Sequence, residues 1–201
     1  QRQMCIRDRV KELCPWSEYY GEAYDHFGLF GGEECRTIMA HCVYSGEEER
    51  RLMKERGVWI AHCPFSNENL ASGIAPVRTF LDEGLRVGLG SDVSGGSSDS
   101  IFRVMADAIQ ASKMYWRLVD DTKKPLTLEE AFYMATKGGG SFFGAVGSFE
   151  EGYEFDALVL DDSALRTPME LSVRQRLERI VYLSDDRQIA AKFAAGEEIM
   201  L

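Results

Sequence analysis

Long apolar runs are missing from this 201-residue sequence. None approaches the roughly 18 to 20 consecutive apolar residues that cross a bilayer, and the N-terminus lacks the apolar core of a secretory signal. Basic charge is scarce too: 23 Lys and Arg stand against 33 Asp and Glu, for a formal net charge of −10. That balance disfavours a nucleic-acid partner, whose phosphates must be met by cationic side chains. The five cysteines, Cys5, Cys14, Cys35, Cys42 and Cys63, are odd in number and never spaced C-x-x-C, so no disulfide framework is expected. These absences lead us to expect a soluble, cytoplasmic protein with reduced, mainly structural cysteines and neither a nucleic-acid nor a membrane partner.

What the sequence does have is 45% hydrophobic and 28% charged residues, enough to bury a sizeable core in one or at most two domains. From Arg36 to Lys113 short β-rich runs alternate with helical stretches, the pattern of a parallel sheet built through crossovers. Arg36 to Ala40 reads as a strand ending at His41, followed by a helix whose Ser45 and Glu48 have the spacing of a capping box. Val58 to Ala61 reads as a second strand ending at His62. Its helix carries Val77, Phe80 and Leu81 and stops at Gly84, which suits a left-handed C-cap. Arg86 to Gly90 is the third strand, running into Ser91-Asp92 and a Gly/Ser-rich loop. The next helix places Ile101, Val104, Met105, Ala108 and Ile109 on one stripe. A fourth helix opens at Thr127 with Glu130, carries Leu128, Ala131, Phe132 and Ala135 inward, and ends at the glycines 138–140. Beyond it, Phe155 to Leu160 and Ile180 to Leu183 read as strands of a small closing β subdomain. At the other end, Gln1 to Arg9 fit no period and read as a foreign or mis-assembled start, ahead of a helical pattern containing Val10 and Leu13.

Each of the three parallel strands thus ends on a residue able to bind metal or move protons: His41, His62 and Asp92. Ligands of α/β folds bind at the carboxyl ends of strands, where the loops gather on a rigid base. Against this stands the simpler reading that the histidines bond neighbouring loops and Asp92 caps a turn. The loop from Gly88 to Gly96 invites a phosphate-binding interpretation, but it has neither the lysine of a P-loop nor G-x-G-x-x-G spacing. Its glycine pair is expected to let the chain turn close to a buried site. His26 reads as a surface or cap histidine, and Cys42 and Cys63 as weaker nucleophile candidates than the His/Asp set.

Three ordered segments, Met39-Ala40-His41-Cys42, Ala61-His62-Cys63-Pro64-Phe65-Ser66-Asn67 and Gly88-Leu89-Gly90-Ser91-Asp92 with Gly95-Gly96, together resemble the amidohydrolase superfamily. The likeness runs from about Val10 to Leu201, and Gly152 to Ala157 resembles that family's return from a barrel into a small β-sandwich. The resemblance implies an α/β fold, the C-terminal part of a TIM-like (β/α)8 barrel plus strands of a β-sandwich subdomain. It also implies Zn2+ as cofactor and hydrolytic loss of an exocyclic amino group from guanine or a related small heterocycle. Asp92 is then the implied metal ligand and, with His41, catalytic; His62, Phe65 and Asn67 are implied to bind substrate or support the site.

That superfamily also uses an H-x-H pair, a further histidine and a nearby glutamate, for which this sequence offers no match. The implied division is 1–9 as a non-native start, 10–145 as a partial barrel and 146–201 as the barrel's end and the β subdomain. Alone, such a piece is expected to be inactive, and the parent protein is expected to be a homodimer. Other readings are a zinc hydrolase of another purine, pyrimidine or triazine, and a non-catalytic chain acting by association.

Overall fold

The computed structural model describes residues 9–200, and the start read as foreign lies outside them except for Arg9, the first residue of a short helical stretch at 9–13. The elements that follow are helix α1 (Tyr20–His26), strand β1 (Ile38–Ala40), α2 (Glu47–Arg56), β2 (Trp59–His62), α3 (Pro64–Asn69) and α4 (Val77–Asp82). Then come β3 (Arg86–Leu89), α5 (Ile101–Leu118), α6 (Leu128–Tyr133), β4 (Ala157–Leu160), α7 (Val173–Leu183), β5 (Ile189–Ala194) and β6 (Glu197–Ile199).

The three early strands form one parallel sheet in the order β1-β2-β3, with Ala40 opposite Ala61 and His62 opposite Leu89. Parallel neighbours need crossover connections, and α2 and α4 lie on those two crossovers. Successive residues of a strand face opposite sides. Met39, Ile60 and Val87 therefore turn toward the helices, where they join Met53, Phe80, Met105, Ile109 and Met134 in one core. Helix α5 supplies its Val104, Met105, Ala108 and Ile109 stripe as expected, whereas Ile101 at its start stays exposed.

Close approach sets the position of α6. Its Thr127 cap and Glu130 form the expected capping box, and the helix continues into a π-type turn, Met134–Gly138. A Cβ on Gly88 of β3 would sit 2.8 Å from the Gly139 Cα, so only glycines allow this turn to lie directly on the strand. Leu128 and Ala131 are buried, while Phe132 remains exposed.

Gly84 does adopt the left-handed conformation, at φ 73°. The Gly84 and Leu85 amides donate to the Leu81 and Phe80 carbonyls, closing α4 as a Schellman motif. Three other expectations need correction. Ser45 does not cap α2: the N-cap is Gly46, with no side-chain hydrogen bond. Ser45 is buried instead, its carbonyl accepting from Arg50, and Glu47 and Glu48 meet the helix dipole. Secondly, the Ile180 to Leu183 run is helical. The Ser172/Gln175 capping box starts α7, and burial of Ile180 and Val181 against α5 outweighs the β-preference of that short run. Thirdly, the closing strands are β4, β5 and β6, forming one antiparallel sheet in that order.

Candidate active site

Because β1, β2 and β3 run parallel, their carboxyl ends share one rim. The ladder continues one residue past each strand: the His41 amide donates to the Ala61 carbonyl at 2.9 Å, and the Gly90 amide to that of His62 at 3.0 Å. At this rim the backbone turns sharply. His41, Cys42 and Asp92 have φ of 70°, 51° and 47°, left-handed values that cost a non-glycine residue about 1 kcal/mol or more. Such conformations concentrate where a site dictates side-chain direction.

Here three predicted residues meet. His41 Nε2 lies 3.8 Å from Asp92 Oδ2, and His41 Nδ1 lies 2.9 Å from Asn67 Oδ1. The His41 side chain is 27% exposed and that of Asp92 42%, so both can be reached from solvent. The glycine pair serves the same geometry: a Cβ on Gly95 would be 2.7 Å from Ser66 Oγ and 2.8 Å from Asp92 Oδ2, and one on Gly96 would strike the Ser91 carbonyl. The expected close turn is therefore present, with Phe65, half-buried, packed against Gly96.

His62 is not gathered into this group. It shares the helix-facing side of β2 with Ile60 and is 1% exposed. Among the described residues neither of its ring nitrogens has a hydrogen-bond partner, nor do Ser66 Oγ, Asn67 Nδ2 and Asp107 Oδ2, all buried. Burial, aided by the neighbouring His41, pushes the His62 pKa down to about 4. Asp107, on the buried side of α5, moves the other way. Burial and its hydrogen-bonded neighbour Glu68 raise it to about 7.

These two shifts act on stability with opposite signs. As pH falls from 6.5 to 4, the unfolded chain protonates His62 while the fold resists, which lowers stability. Between pH 7 and 3.8 the folded protein holds a proton on Asp107 that the unfolded chain releases, so stability rises as pH falls. We expect them to offset each other. Asp107→Asn should make melting temperature fall more steeply than wild type on acidification from pH 6.5 to 4, and His62→Gln less steeply; identical slopes in all three proteins would contradict this.

The thiols take no part. Cys42 and Cys63 are free and buried, their pKa values raised by burial to about 12 and about 11, which disfavours the nucleophilic thiolate. Cys14 and Cys35 are also free, and Cys5 lies outside the described residues. His26 is an exposed residue in the last turn of α1, in a tilted ring contact with Trp16 and an edge-on one with Phe27.

An imidazole nitrogen and a carboxylate facing each other are donors of the kind zinc takes. A catalytic zinc site needs three protein ligands, and among the described residues no group of three or more His, Cys, Asp or Glu is so gathered. Asp92 therefore fits as one ligand of a metal site with His41 beside it, and the other donors would come from outside the described residues.

A model of the amidohydrolase family matches residues 17–199, and the chain belongs to that family. Guanine deaminase of Dictyostelium discoideum is 38% identical over 197 residues, covering 94% of this chain and 43% of that protein. Among solved structures, the guanine deaminase from C. acetobutylicum with guanine bound in its active site superposes with a TM-score of 0.91 at 53% identity, covering 96% of this chain and 45% of that one. An adenosine deaminase from Xanthomonas campestris with bound zinc superposes with a TM-score of 0.72 at 30% identity, over 87% of this chain and 38% of that one. The chain thus spans less than half the length of these relatives. Its α/β architecture agrees with the amidohydrolase fold, and no helix among the described residues is long and apolar enough to cross a membrane.

Two features of the site escaped the sequence reading. The Asp107–Glu68 pair was detectable in principle: Asp107 falls on the apolar stripe three residues after Val104 and four before Ala111, where an acid is out of place. The left-handed turns at His41 and Asp92 carry only a weak signal: His and Asp adopt that backbone more often than most residues, yet too rarely for the residue type to announce it.

Proposed function

We propose that this sequence is the C-terminal part of a zinc-dependent aminohydrolase that converts guanine and water to xanthine and ammonia in purine catabolism. In this reading residues 10–145 supply three strands of a TIM-like barrel and residues 146–201 its end and part of a small β-sandwich. The single observation that carries it is the convergence of His41 and Asp92 at the carboxyl rim of the parallel strands. The 53% identity to a guanine deaminase that holds guanine supports the choice of substrate.

Asp92 holds the metal, with His41 beside it and further ligands from elsewhere in the protein. Zinc in such a place supplies a Lewis acid that makes water acidic near neutral pH. The Asp92 carboxylate accepts a hydrogen bond from the attacking water and takes part in moving its proton. His41 hydrogen-bonds water and substrate and steadies the charge that develops on the ring as water adds. The amino group then leaves as ammonia. Phe65 and the Pro64–Asn69 helix shape the substrate side, and His62 supports the rim from beneath. The acidic, free-thiol composition suits a cytoplasmic enzyme, and the apolar helix faces and strand edges suit a homodimer.

Ammonia release by the full-length protein encoded with this sequence tests the proposal against a panel of guanine, adenine, adenosine, cytosine and an amino-triazine. Guanine should rank first in kcat/KM by at least about tenfold. A higher value for adenosine or the triazine would reassign the substrate, and no turnover of any of them would refute the enzyme.

A further inference from the structure

We propose that Asp107 and Glu68 are positioning residues: their two carboxyl groups share one proton in a bond that clamps α3 onto α5 and so holds the rim segment carrying Ser66 and Asn67. Only the catalytic consequence rests on the function proposed above; the shared proton does not.

Helix α3 is six residues long, and its N-cap, Cys63, makes no side-chain hydrogen bond. A helix that short takes its position from tertiary contacts. Toward the rim it is tied by Asn67 Oδ1, 2.9 Å from His41 Nδ1, and by Asn69, whose side-chain amide donates to the Gly95 carbonyl at 2.8 Å. Toward α5 the polar tie is the contact of Glu68 with Asp107. Among the described residues no other hydrogen bond or ion pair joins the two helices. Asp107 is 8% exposed, and its Oδ2 is wholly buried with no donor to meet it. Two ionised carboxylates in contact repel, so the pair keeps a proton, and one carboxyl then donates to the other in a charge-assisted bond.

Among the described residues no neighbouring charge relieves the pair. His62 of β2 lines the same gap as Glu68 and Ala111, but burial keeps it neutral. On α6, Glu129 and Glu130 are engaged by Arg174 and Arg78. On α7, Arg176 is held by Asp162 and Arg179 by the Leu165 and Arg166 carbonyls, while Arg86 of β3 lies over Trp59. Arg103, one turn before Asp107 on α5, bears on Asp185. A metal ion in place of the proton would need a third donor, and no group of three or more His, Cys, Asp or Glu is gathered among the described residues. Burial and Glu68 raise Asp107 to about 7, so the proton is held through mild acid and leaves as pH rises past neutrality. The two charges then push α3 from α5, and with it the Asn67 and Ser66 that stand beside His41 and the Gly95 turn.

The test uses the full-length protein with 13C-labelled Asp and Glu carboxyl groups. The Asp107 resonance, assigned by its loss in Asp107→Asn, should titrate near pH 7. Glu68→Gln should lower that midpoint by about one pH unit or more, because an amide donates without adding charge. Each of these two variants replaces the shared proton with an amide N–H that persists at every pH. Their kcat with guanine, divided by the wild-type value at the same pH, should therefore rise about fivefold or more from about pH 6 to about pH 8.5, while the KM ratio changes less than about threefold. The ratio cancels any titration at the catalytic centre common to all three proteins. A wild-type Asp107 that titrates in the usual carboxyl range overturns the proposal, as does a midpoint unmoved by Glu68→Gln or a kcat ratio that stays flat with pH in either variant. Should one variant not fold, the wild-type titration and the other variant decide. Titration near pH 7 without guanine turnover would refute the proposed function and leave the shared proton standing.

Discussion

Asp92→Ala, made in the full-length protein, is expected to lose stoichiometric zinc and to lower kcat/KM for guanine by about 10³-fold or more. The size of the effect follows from the absence of a substitute. Among the described residues no second carboxylate stands beside His41 to replace it, because no further ligand group is gathered there. The fold should tolerate the change, since the Asp92 side chain is 42% exposed and makes no buried ion pair. Elemental analysis beside an ammonia assay checks both halves. Retention of one metal per subunit with only a modest loss of rate would remove Asp92 from the metal shell.

Gly95→Ala should cost about 10²-fold in kcat/KM while leaving the protein folded. The added methyl would lie 2.7 Å from Ser66 Oγ and 2.8 Å from Asp92 Oδ2, closer than such contacts can be. The two nearest obstacles are side-chain ends, which can yield, and the Asp92 backbone carbonyl at 3.3 Å asks for a shift of only a few tenths of an ångström. Yielding moves the carboxylate by a sizeable fraction of an ångström, and displacements of about 1 Å at a reacting group cost about 10²-fold. A circular-dichroism melt with unchanged cooperativity would accompany the lowered rate. An alanine variant with wild-type kcat/KM would show that the position of this carboxylate does not matter. The neighbouring Gly96 is a harsher position, because its methyl would meet the backbone carbonyl of Ser91.

The part of the site that could be read from sequence is the part that regular structure positions. Strands alternate with period two, so a β-rich run ending in His41, His62 or Asp92 announces a polar residue at the rim. Thr127 and Glu130 likewise announced their helix, since a capping box depends only on local spacing. Side-chain direction at the rim was not legible. His62 sits at the end of β2 as expected yet turns into the helix-packed core, while His41 and Asp92 are brought together by left-handed turns. The link from His41 to Asn67 crosses 26 positions of sequence and depends on both of those turns and on α3.

Misreadings elsewhere share a cause. Ile180 to Leu183 favours a strand when taken alone, but its register with Leu177 and Ser184 gives a helical face for α5 to cover. Ser45 has the chemistry of a cap but is buried one residue too early, with Gly46 at the helix start. In each case a non-local contact outweighed a local preference, which is the usual limit of propensity. The strands β5 and β6 were missed because alanines 190, 191 and 194 blur in sequence the alternation that Ile189–Ala194 shows in burial, and Glu197–Ile199 is exposed throughout.

The central claim is that Asp92, beside His41, grips a cation that the rest of the protein helps to hold. Crystals of the full-length, zinc-loaded protein measured on both sides of the zinc absorption edge test it most directly. An anomalous peak is expected about 2.0 to 2.2 Å from an Asp92 carboxylate oxygen, with His41 on the same side of the rim. A fully occupied zinc peak bound elsewhere, with Asp92 facing only solvent, would contradict it.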